Sequence, residues 1–326
     1  MSISLIILIG LAIIFDFLNG VHDSSNIVAT MISSRAISPR VALAITAVAE
    51  FCGPFIFGVA VANTIGDEIV KSEHLTMLVI IAALLSAIVW NVFTWVLGIP
   101  SSSSHALIGG IIGSVAVGAG FSAIKLSGVI KVLVALFTSP IIGFLAGILI
   151  ANVVYLFAWK STPKVNGVFK KLQVVTSIGL ALSHGTNDAQ KTMGIITLGL
   201  VISGMISAFE VPLWVIVICA AAIALGTSVG GWQLIRTLGS KFYKIRPVHG
   251  FASQLASAVV ILTASLVGGP VSTTQVVSTA IMGVGAAERV SKVRWGVAGE
   301  IASAWLFTIP ATALLGAGVY LLLNLF

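Results

Sequence analysis

The residues best suited to chemistry form two related motifs that lie 165 positions apart in the chain. The first reads Gly20-Val21-His22-Asp23-Ser24-Ser25-Asn26, and the second reads Gly185-Thr186-Asn187-Asp188-Ala189-Gln190-Lys191. Each motif places a carboxylate inside an apolar segment, where a charge costs roughly 2.5–3.5 kcal/mol on insertion scales and therefore indicates function. Carboxylate and amide oxygens are the hard ligands that a desolvated sodium ion requires. We predict a cation site with four ligands: Asp23, Asn26, Asn187 and Asp188.

Two short runs of hydroxyl residues each follow a proline and lie 170 positions apart, at 100–104 and 270–274. Proline suits the first turn of a helix and hydroxyls cap the free N–H groups there, so each run predicts a helix start. A helix start presents N–H donors and about half a positive charge, which suits an oxyanion. We predict that the two runs converge on a small tetrahedral anion, with these ligands: Ser102, Ser103, Ser104, Ser272, Thr273 and Thr274. Ser25 and Gln190, at equivalent positions in the two motifs, are further candidate donors to the anion.

Other ionisable residues within the apolar segments also need partners. Lys191 stands where the first motif has Asn26, and it either pairs with a motif carboxylate or contacts the anion. Asp16 and Glu50 have no acidic equivalent in the other half of the chain. Each is a candidate cation ligand or a candidate partner of Lys191.

Histidines beside the motifs raise two alternative chemistries. His22, His105 and His184 suggest a metal cluster, but no cysteine and no closely spaced histidine pair accompanies them. The serines at 101–104 adjoin His105, as an intramembrane serine hydrolase would require. The second run has Gln275 at the equivalent position, and a hydrolase does not explain the duplication. We therefore favour transport, with no catalytic residues and no resident cofactor.

The composition is that of a membrane protein. Of the 326 residues, 58% are hydrophobic and only 8% are charged, whereas about a quarter are charged in soluble domains. Segments long enough to cross about 30 Å of hydrocarbon recur along the chain. The net charge of +7 comes from short loops between these segments, which argues against a nucleic-acid partner. We predict an all-α polytopic membrane protein.

Ten apolar spans divide evenly between two halves of the chain. Their ranges are 3–33, 41–64, 75–98, 102–121, 127–158, 172–203, 212–238, 248–268, 273–286 and 295–323. The first and the sixth are too long for one straight crossing and contain the motifs midway, so we predict broken helices there. Sequence matches in the same order define the organisation as a first repeat, a cytoplasmic linker and a second repeat, at 1–158, 159–171 and 172–326.

An odd number of crossings in each half predicts that the second repeat is inverted relative to the first. Loop charge supports this, because Arg35 and Arg40 follow the first span whereas the equivalent loop at 204–210 has no cation. Likewise, the loop at 66–74 is acidic and its equivalent at 239–247 is basic. Placing the basic loops in the cytoplasm puts both termini outside. The span at 102–121 could instead form a re-entrant hairpin, which keeps the inversion if the crossings remain odd.

The paired motifs and the hydroxyl runs resemble those of the inorganic phosphate transporter (PiT) family, which carries a G-x-N-D motif in each of two inverted halves. The second copy, Gly185 to Gly194, is a close match, whereas His22 stands where the family usually has asparagine. The resemblance covers nearly the whole chain. It implies phosphate as the substrate and symport with Na⁺ or H⁺. The residues alone indicate a cation-coupled carrier of a small oxyanion.

We therefore expect a secondary-active symporter of the cytoplasmic (cell) membrane that imports inorganic phosphate by alternating access. Sodium is favoured because asparagine side chains and broken-helix carbonyls accompany each carboxylate, whereas a proton, the alternative, needs only the acid. The competing functions are a carrier of another oxyanion such as sulfate, and an intramembrane serine hydrolase. The expected partners are phosphate, the coupling cation and the lipid bilayer. The sequence leaves open whether copies of the chain form a homo-oligomer.

Overall fold

The computed structural model describes residues 2–72, 75–99, 101–162, 164–232, 235 and 245–325, apart from the side chain of residue 297. Within them the chain is helical, with one isolated bridge between Val70 and Ile124, so the predicted all-α fold is confirmed. The helices are α1 (Ile3–Ser33), α2 (Pro39–Phe57), α3 (Ala60–Asn63), α4 (Met77–Leu97), α5 (Ser103–Gly118), α6 (Leu126–Ala158), α7 (Val165–Ile202), α8 (Leu213–Val229), α9 (Pro247–Leu266), α10 (Thr273–Glu288) and α11 (Trp295–Leu323). A π-helical turn, Thr64–Glu68, follows α3.

Six of the described helices are long and apolar enough to cross a membrane, namely α1, α2, α4, α6, α9 and α11. By contrast, α5 and α10 have 16 residues each. At 1.5 Å per residue they are about 24 Å long, which is too short for a hydrocarbon core of about 30 Å. Each packs against the preceding helix, so α4–α5 and α9–α10 form two helical hairpins, with residues 98–99 and 101–102 at the first tip and residues 267–272 at the second.

The predicted breaks inside the motif helices are wrong. Both α1 and α7 remain helical through their motifs. Gly20 and Gly185 serve close packing instead, because a Cβ at either position would collide with the carbonyl of Ile223 or of Glu50. The 38 residues of α7 make it about 57 Å long, and it begins inside the segment predicted as a linker. Helices longer than the hydrocarbon can tilt or extend beyond it, so excess length does not require a break.

The two halves of the chain interlock. Helix α1 packs on α8 and α7 on α2, α5 packs on α11 and α10 on α6, and α4 packs on α11 and α9 on α6. Within each of these three couples, exchanging the two halves of the chain converts the first contact into the second. This pattern is that of an approximate two-fold axis running between α1 and α7, which also pack on each other.

The motif helices α1 and α7 run in opposite directions. At one end of the bundle, Leu8 near the start of α1 packs beside Gly199 near the end of α7. At the other end, the Ser34 hydroxyl donates a hydrogen bond of 2.6 Å to Gln173 near the start of α7. The open end of the α4–α5 hairpin belongs to the same apolar cluster as Leu8. The open end of the α9–α10 hairpin lies on the Ser34 side, so the hairpins enter from opposite ends.

The two ends of the bundle differ in charge. At the end near Leu8, Asp67 and Glu68 pair with Lys125 and Lys131 at 3.7 and 2.7 Å, so these charges cancel; we call this the Leu8 end. The other end, which we call the basic end, carries the following cations: Arg35, Arg40, Lys160, Lys164, Lys170, Lys171, Arg246, Arg289, Lys292 and Arg294. Several residues used in the predictions lie outside the described residues: Glu73, Pro100, the end of the seventh span at 236–238, and the loop cations Lys241 and Lys244.

Candidate functional site

The tips of the two hairpins meet in the centre of the bundle. The Ser104 hydroxyl donates a hydrogen bond of 3.0 Å to the carbonyl of Val271, and the Gln275 amide nitrogen lies 3.4 Å from Nε2 of His105. The six hydroxyl residues predicted for the anion are all buried, none more than 4% exposed. The hydroxyl runs therefore lie together, away from solvent.

Each hydroxyl run starts a helix, as predicted. Ser102 caps α5 by accepting from the backbone N–H of His105 at 3.1 Å, and Ser272 caps α10 by accepting from Gln275 at 3.4 Å. The first backbone hydrogen bonds of the two helices are made by Ala106 and Val276. The N–H groups of residues 103–104 and 273–274 therefore precede the helical bonding and form two adjacent sets of donors.

The start of α10 also supplies a hydroxyl to each motif carboxylate. Thr274 Oγ1 donates to Asp23 Oδ1 at 2.8 Å, and Thr273 Oγ1 donates to Asp188 Oδ2 at 2.8 Å. Both carboxylates are completely buried. One helix start thus joins the two acids that the sequence placed half a chain apart.

His184 connects three buried carboxylates. Its Nε2 lies 2.8 Å from Asp188 Oδ2 and 3.8 Å from Asp23 Oδ2, and its Nδ1 lies 2.7 Å from Glu50 Oε1. Ligand atoms of His184, Asp23 and Asp188 all lie within 4.8 Å of one another, close enough to hold one cation. Sequence reasoning left His184 without a defined role, although its four-residue spacing from Asp188 places both on one helix face. Glu50 is a partner of His184 rather than of Lys191.

Asn26 and Lys191 make matching contacts in the two halves. Asn26 Nδ2 donates to Asp23 Oδ1 at 2.9 Å and to Thr274 Oγ1 at 3.0 Å. Lys191 Nζ donates to Asp188 Oδ1 and, at 2.6 Å, to Ser104 Oγ. In both cases the side chain joins its own motif carboxylate to a hydroxyl at the start of a hairpin helix. Of the partners considered for Lys191, the structure selects Asp188.

Asn187 and Ser25, two of the predicted site residues, form hydrogen bonds with other parts of the protein. The Asn187 amide donates to Ser265 Oγ at 2.8 Å and to the carbonyl of Gly269 at 3.2 Å, and its oxygen accepts from the N–H of Val271 at 3.3 Å. Asn187 therefore holds the tip of the α9–α10 hairpin. The Ser25 hydroxyl donates to a carbonyl of its own helix at 3.1 Å.

Gln190 closes the junction between α2 and α3. Its Oε1 accepts from the N–H groups of Val61 and Ala62 at 2.7 and 3.3 Å, and its Nε2 donates to the carbonyl of Gly58. These contacts use the single O–H of Ser25 and one of the two amide N–H groups of Gln190 in this conformation. The assignment of Ser25 and Gln190 to the anion stays a prediction, and Ser25 would have to release its helix carbonyl to donate.

Two further ionisable residues lie beside the site. The Asp16 carboxylate accepts from the Thr192 hydroxyl at 2.8 Å, so it belongs to a neighbouring contact between α1 and α7. His22 Nδ1 lies 3.1 Å from Asp23 Oδ1. Neither Asp16 nor His22 makes a described hydrogen bond or ion pair with Asp188.

Three features together are the architecture of a membrane transporter of the repeat type: an approximate two-fold axis, hairpin tips that meet at the centre of the bundle, and buried carboxylates beside the N-termini of two hairpin helices. A sequence profile described as the Phosphate transporter family matches residues 19–316. The chain therefore belongs to the phosphate transporter family.

Curated relatives and a solved structure agree with this assignment. The chain is 46% identical over 324 residues to a "probable low-affinity inorganic phosphate transporter" of Bacillus subtilis (strain 168), covering 98% of this chain and 97% of the relative. It is 47% identical over 315 residues to a protein of the same description from Rhizobium meliloti (strain 1021), covering 96% and 94%. A solved structure titled "The sodium-dependent phosphate transporter" matches with a TM-score of 0.92 and 26% identity, covering 100% of both chains.

These findings decide between the competing functions. The family and the relatives are transporters, so the chain is a phosphate transporter and not an enzyme. His105 Nδ1 does lie 2.7 Å from Ser102 Oγ, the arrangement that suggested a hydrolase. That contact accompanies the cap of α5, because the same hydroxyl accepts from the His105 backbone.

Proposed function

We propose that this protein is a secondary-active symporter that imports inorganic phosphate together with a cation by alternating access. One observation carries the coupling: the start of α10 donates its hydroxyls to both buried carboxylates, at 2.8 Å each, while the first N–H groups of the same helix precede the helical bonding. The hydroxyls of Thr273 and Thr274 therefore contact the proposed cation ligands and lie beside the N–H groups proposed to bind the anion.

The anion half of the proposal uses the two helix starts. Their free N–H groups and positive helix ends favour a doubly charged oxyanion, and the serines and threonines add neutral donors. We assign the phosphate ligands to Ser102, Ser103, Ser104, Ser272, Thr273 and Thr274. The relatives named above are described as inorganic phosphate transporters, which favours phosphate over sulfate.

The cation half uses Asp23, Asn26 and Asp188, with His184 between the carboxylates. A phosphate ion cannot lie beside unneutralised carboxylates in a low-dielectric site without strong repulsion. A cation that binds Asp23 would also compete with Thr274 for the carboxylate oxygen, so that the threonine proton could turn towards phosphate. Cation binding then creates the donor that the anion needs, which is a physical basis for symport. Asn187 acts indirectly, by holding the hairpin tip.

Sodium is our first choice for the coupling cation. Asn26 Oδ1 and Asp23 Oδ2 are buried oxygens without a hydrogen-bond partner among the described residues, and oxygen ligands suit a hard cation. The matching solved structure is titled as sodium-dependent. A specific observation also favours a proton as the second candidate, since His184 lies between Glu50 and Asp188 at 2.7 and 2.8 Å. Imidazole in such a position can carry a proton between carboxylates.

We place the protein in the cell membrane with its basic end in the cytoplasm, following the positive-inside rule. Both termini are then outside, because α1 begins and α11 ends at the Leu8 end. An accessible cysteine introduced after residue 323 would test this through labelling with an impermeant thiol reagent in whole cells. Labelling only after the membrane is permeabilised would show that the C-terminus is inside, and the proposed orientation would then be wrong.

Uptake in proteoliposomes tests the coupling. The purified chain should accumulate labelled phosphate when an inward sodium gradient is imposed at equal pH on both sides. A pH gradient without sodium should be ineffective if sodium is the coupling ion and effective if a proton is. Phosphate entry that follows only its own gradient, and ignores both cations, would refute the symport proposal. Competition by sulfate as strong as by phosphate itself would refute the assigned substrate.

A further inference from the structure

Lys191 occupies the place in the second half that Asn26 occupies in the first. Each side chain joins its own motif carboxylate to a hydroxyl of a hairpin helix, Asp23 and Thr274 in one half and Asp188 and Ser104 in the other. The two-fold axis therefore relates two sites of the same design. They differ because one contains a neutral amide and the other contains an ammonium group.

The ammonium group lies in a set of oxygens that would suit a small cation. Lys191 Nζ donates to a carboxylate oxygen of Asp188, to the Ser104 hydroxyl at 2.6 Å and to the carbonyl of Val271 at 3.0 Å. A carboxylate, a hydroxyl and a carbonyl are the hard oxygen donors that alkali cations take in transport sites. Lys191 is only 1% exposed, so its charge is confined to this set.

The first half has buried carboxylate and amide oxygens but no lysine beside them. Asn26 Oδ1 and Asp23 Oδ2 have no hydrogen-bond partner among the residues described, although both atoms are buried. The titratable groups facing Asp23 are His22 at 3.1 Å, His184 at 3.8 Å and Asp188, which has a ligand oxygen within 4.8 Å. No lysine or arginine of the described chain pairs with Asp23, in contrast to Asp188.

We propose that the Lys191 ammonium is a tethered substitute for one coupling cation, so that a mobile cation is needed only at the Asp23–Asn26 site. The inference rests on the cation-coupled symport proposed above and adds its stoichiometry. A transporter with asparagine in both places would bind one more cation with each phosphate. Lys191 supplies the same neutralisation of Asp188 without drawing on the ion gradient.

Exchanging the two side chains tests the idea in both directions. The Lys191→Asn variant gives the second half the amide of the first, and Lys191→Met removes the charge without supplying an oxygen ligand. The Asn26→Lys variant places a tethered ammonium beside Asp23. Equilibrium binding of labelled inorganic phosphate to each purified protein is measured over a range of Na⁺ concentrations, after size-exclusion chromatography confirms a folded sample. The slope of the logarithm of phosphate affinity against the logarithm of Na⁺ concentration counts the linked cations.

We expect Lys191→Asn to raise this slope by about one cation relative to the parent, and Asn26→Lys to lower it by about one or to abolish it. Lys191→Met should bind phosphate weakly without an increase in slope. If the parent is coupled to protons, the Lys191→Asn slope for Na⁺ should rise from near zero to about one.

A folded Lys191→Asn protein with the slope of the parent, or with no phosphate binding at any Na⁺ concentration, would overturn the inference. If that variant does not fold, Asn26→Lys decides, and an unchanged slope for the cation to which the parent responds, Na⁺ or H⁺, would overturn the inference equally. These outcomes are distinct from failure of the symport proposal, which would appear in the parent as phosphate binding and uptake that respond to neither Na⁺ nor pH.

Discussion

Replacing Thr274 by valine tests whether the cation controls the donors that phosphate uses. The Thr274 hydroxyl donates to Asp23 Oδ1 at 2.8 Å and accepts from Asn26 Nδ2 at 3.0 Å. With no cation bound, its proton is held by the carboxylate and does little for the anion. Once a cation occupies Asp23, the same proton becomes a donor to phosphate. Valine has nearly the same shape and cannot donate in either state.

The expected effect follows from the strength of one hydrogen bond to a charged group, which contributes about 1.5–3 kcal/mol. Since about 1.4 kcal/mol corresponds to a factor of ten, phosphate affinity at saturating cation should fall roughly 10- to 100-fold in Thr274→Val. At low cation concentration the affinity should stay close to that of the parent, because the hydroxyl is not then available to phosphate. The substitution should therefore reduce the coupling between the two ligands rather than weaken phosphate uniformly.

The assay is phosphate binding at low and at saturating cation, for the parent, for Thr274→Val and for a matched control. Thr279→Val is a suitable control because its hydroxyl, on the same helix, donates to the carbonyl of Gln275 at 2.8 Å and not to a motif carboxylate. The control should lose little affinity in either condition. An equal loss at both cation concentrations in Thr274→Val would refute the hydroxyl switch, and so would the absence of any loss.

Three further outcomes follow from the packing and the contacts. Gly185→Ala should lower the thermal stability of the purified protein by at least the 1–3 kcal/mol typical of overpacking, whereas Gly179→Ala on the same helix meets open space and should not; equal melting temperatures would refute the close contact. Gln190→Leu should destabilise by about 1–3 kcal/mol for each buried backbone group left unpaired while folded protein keeps its phosphate affinity, and Ser25→Ala should change neither; a selective loss of affinity in either would return that residue to the anion site. Asp188→Asn should abolish cation-dependent uptake in vesicles, and parental uptake with unchanged cation dependence would contradict its assignment.

The helix starts could be predicted from the sequence because their physical signals are local. A proline followed by hydroxyl residues specifies a capped helix start, and Ser102 and Ser272 do cap α5 and α10. The boundaries of α1 and α11 were also predictable, because long apolar runs end at polar residues. The duplication itself was readable from the sequence, since the same motifs recur in the same order.

The continuity of α1 and α7 could not be predicted in this way. Glycine beside asparagine and aspartate usually indicates a turn or a break, and the same composition arises where two helices approach closely. Which reading is correct depends on the neighbouring helix, and Gly20 meets the backbone of α8 from the other half of the chain. A contact between residues about 200 positions apart leaves no local signal.

The same reason explains why the observed contacts of three polar side chains could not be predicted. Gln190 and Asn187 looked like ligands because they are polar residues in an apolar segment. Their partners are backbone groups of the α2–α3 junction and of the α9–α10 tip, and backbone groups carry no sequence signature. The role of His184 depends on Glu50, which the sequence places in another helix with no indication of its direction.

The symmetry of the fold makes its chemical asymmetry informative. An approximate two-fold axis gives two equivalent positions for every residue near the centre, and a strictly repeated sequence would give two equal cation sites. Here the positions equivalent to Asn26 and Asn187 carry Lys191 and His22. One half therefore contains a fixed charge, and the other contains two buried oxygens with no hydrogen-bond partner in the described part of the chain. On the proposals made above, the repeated backbone would serve alternating access, while a few substitutions would decide how many ions accompany each phosphate. Changing Asn26 or Lys191 should alter the stoichiometry without altering the fold, because neither residue is among the glycine contacts and helix caps that hold the bundle together.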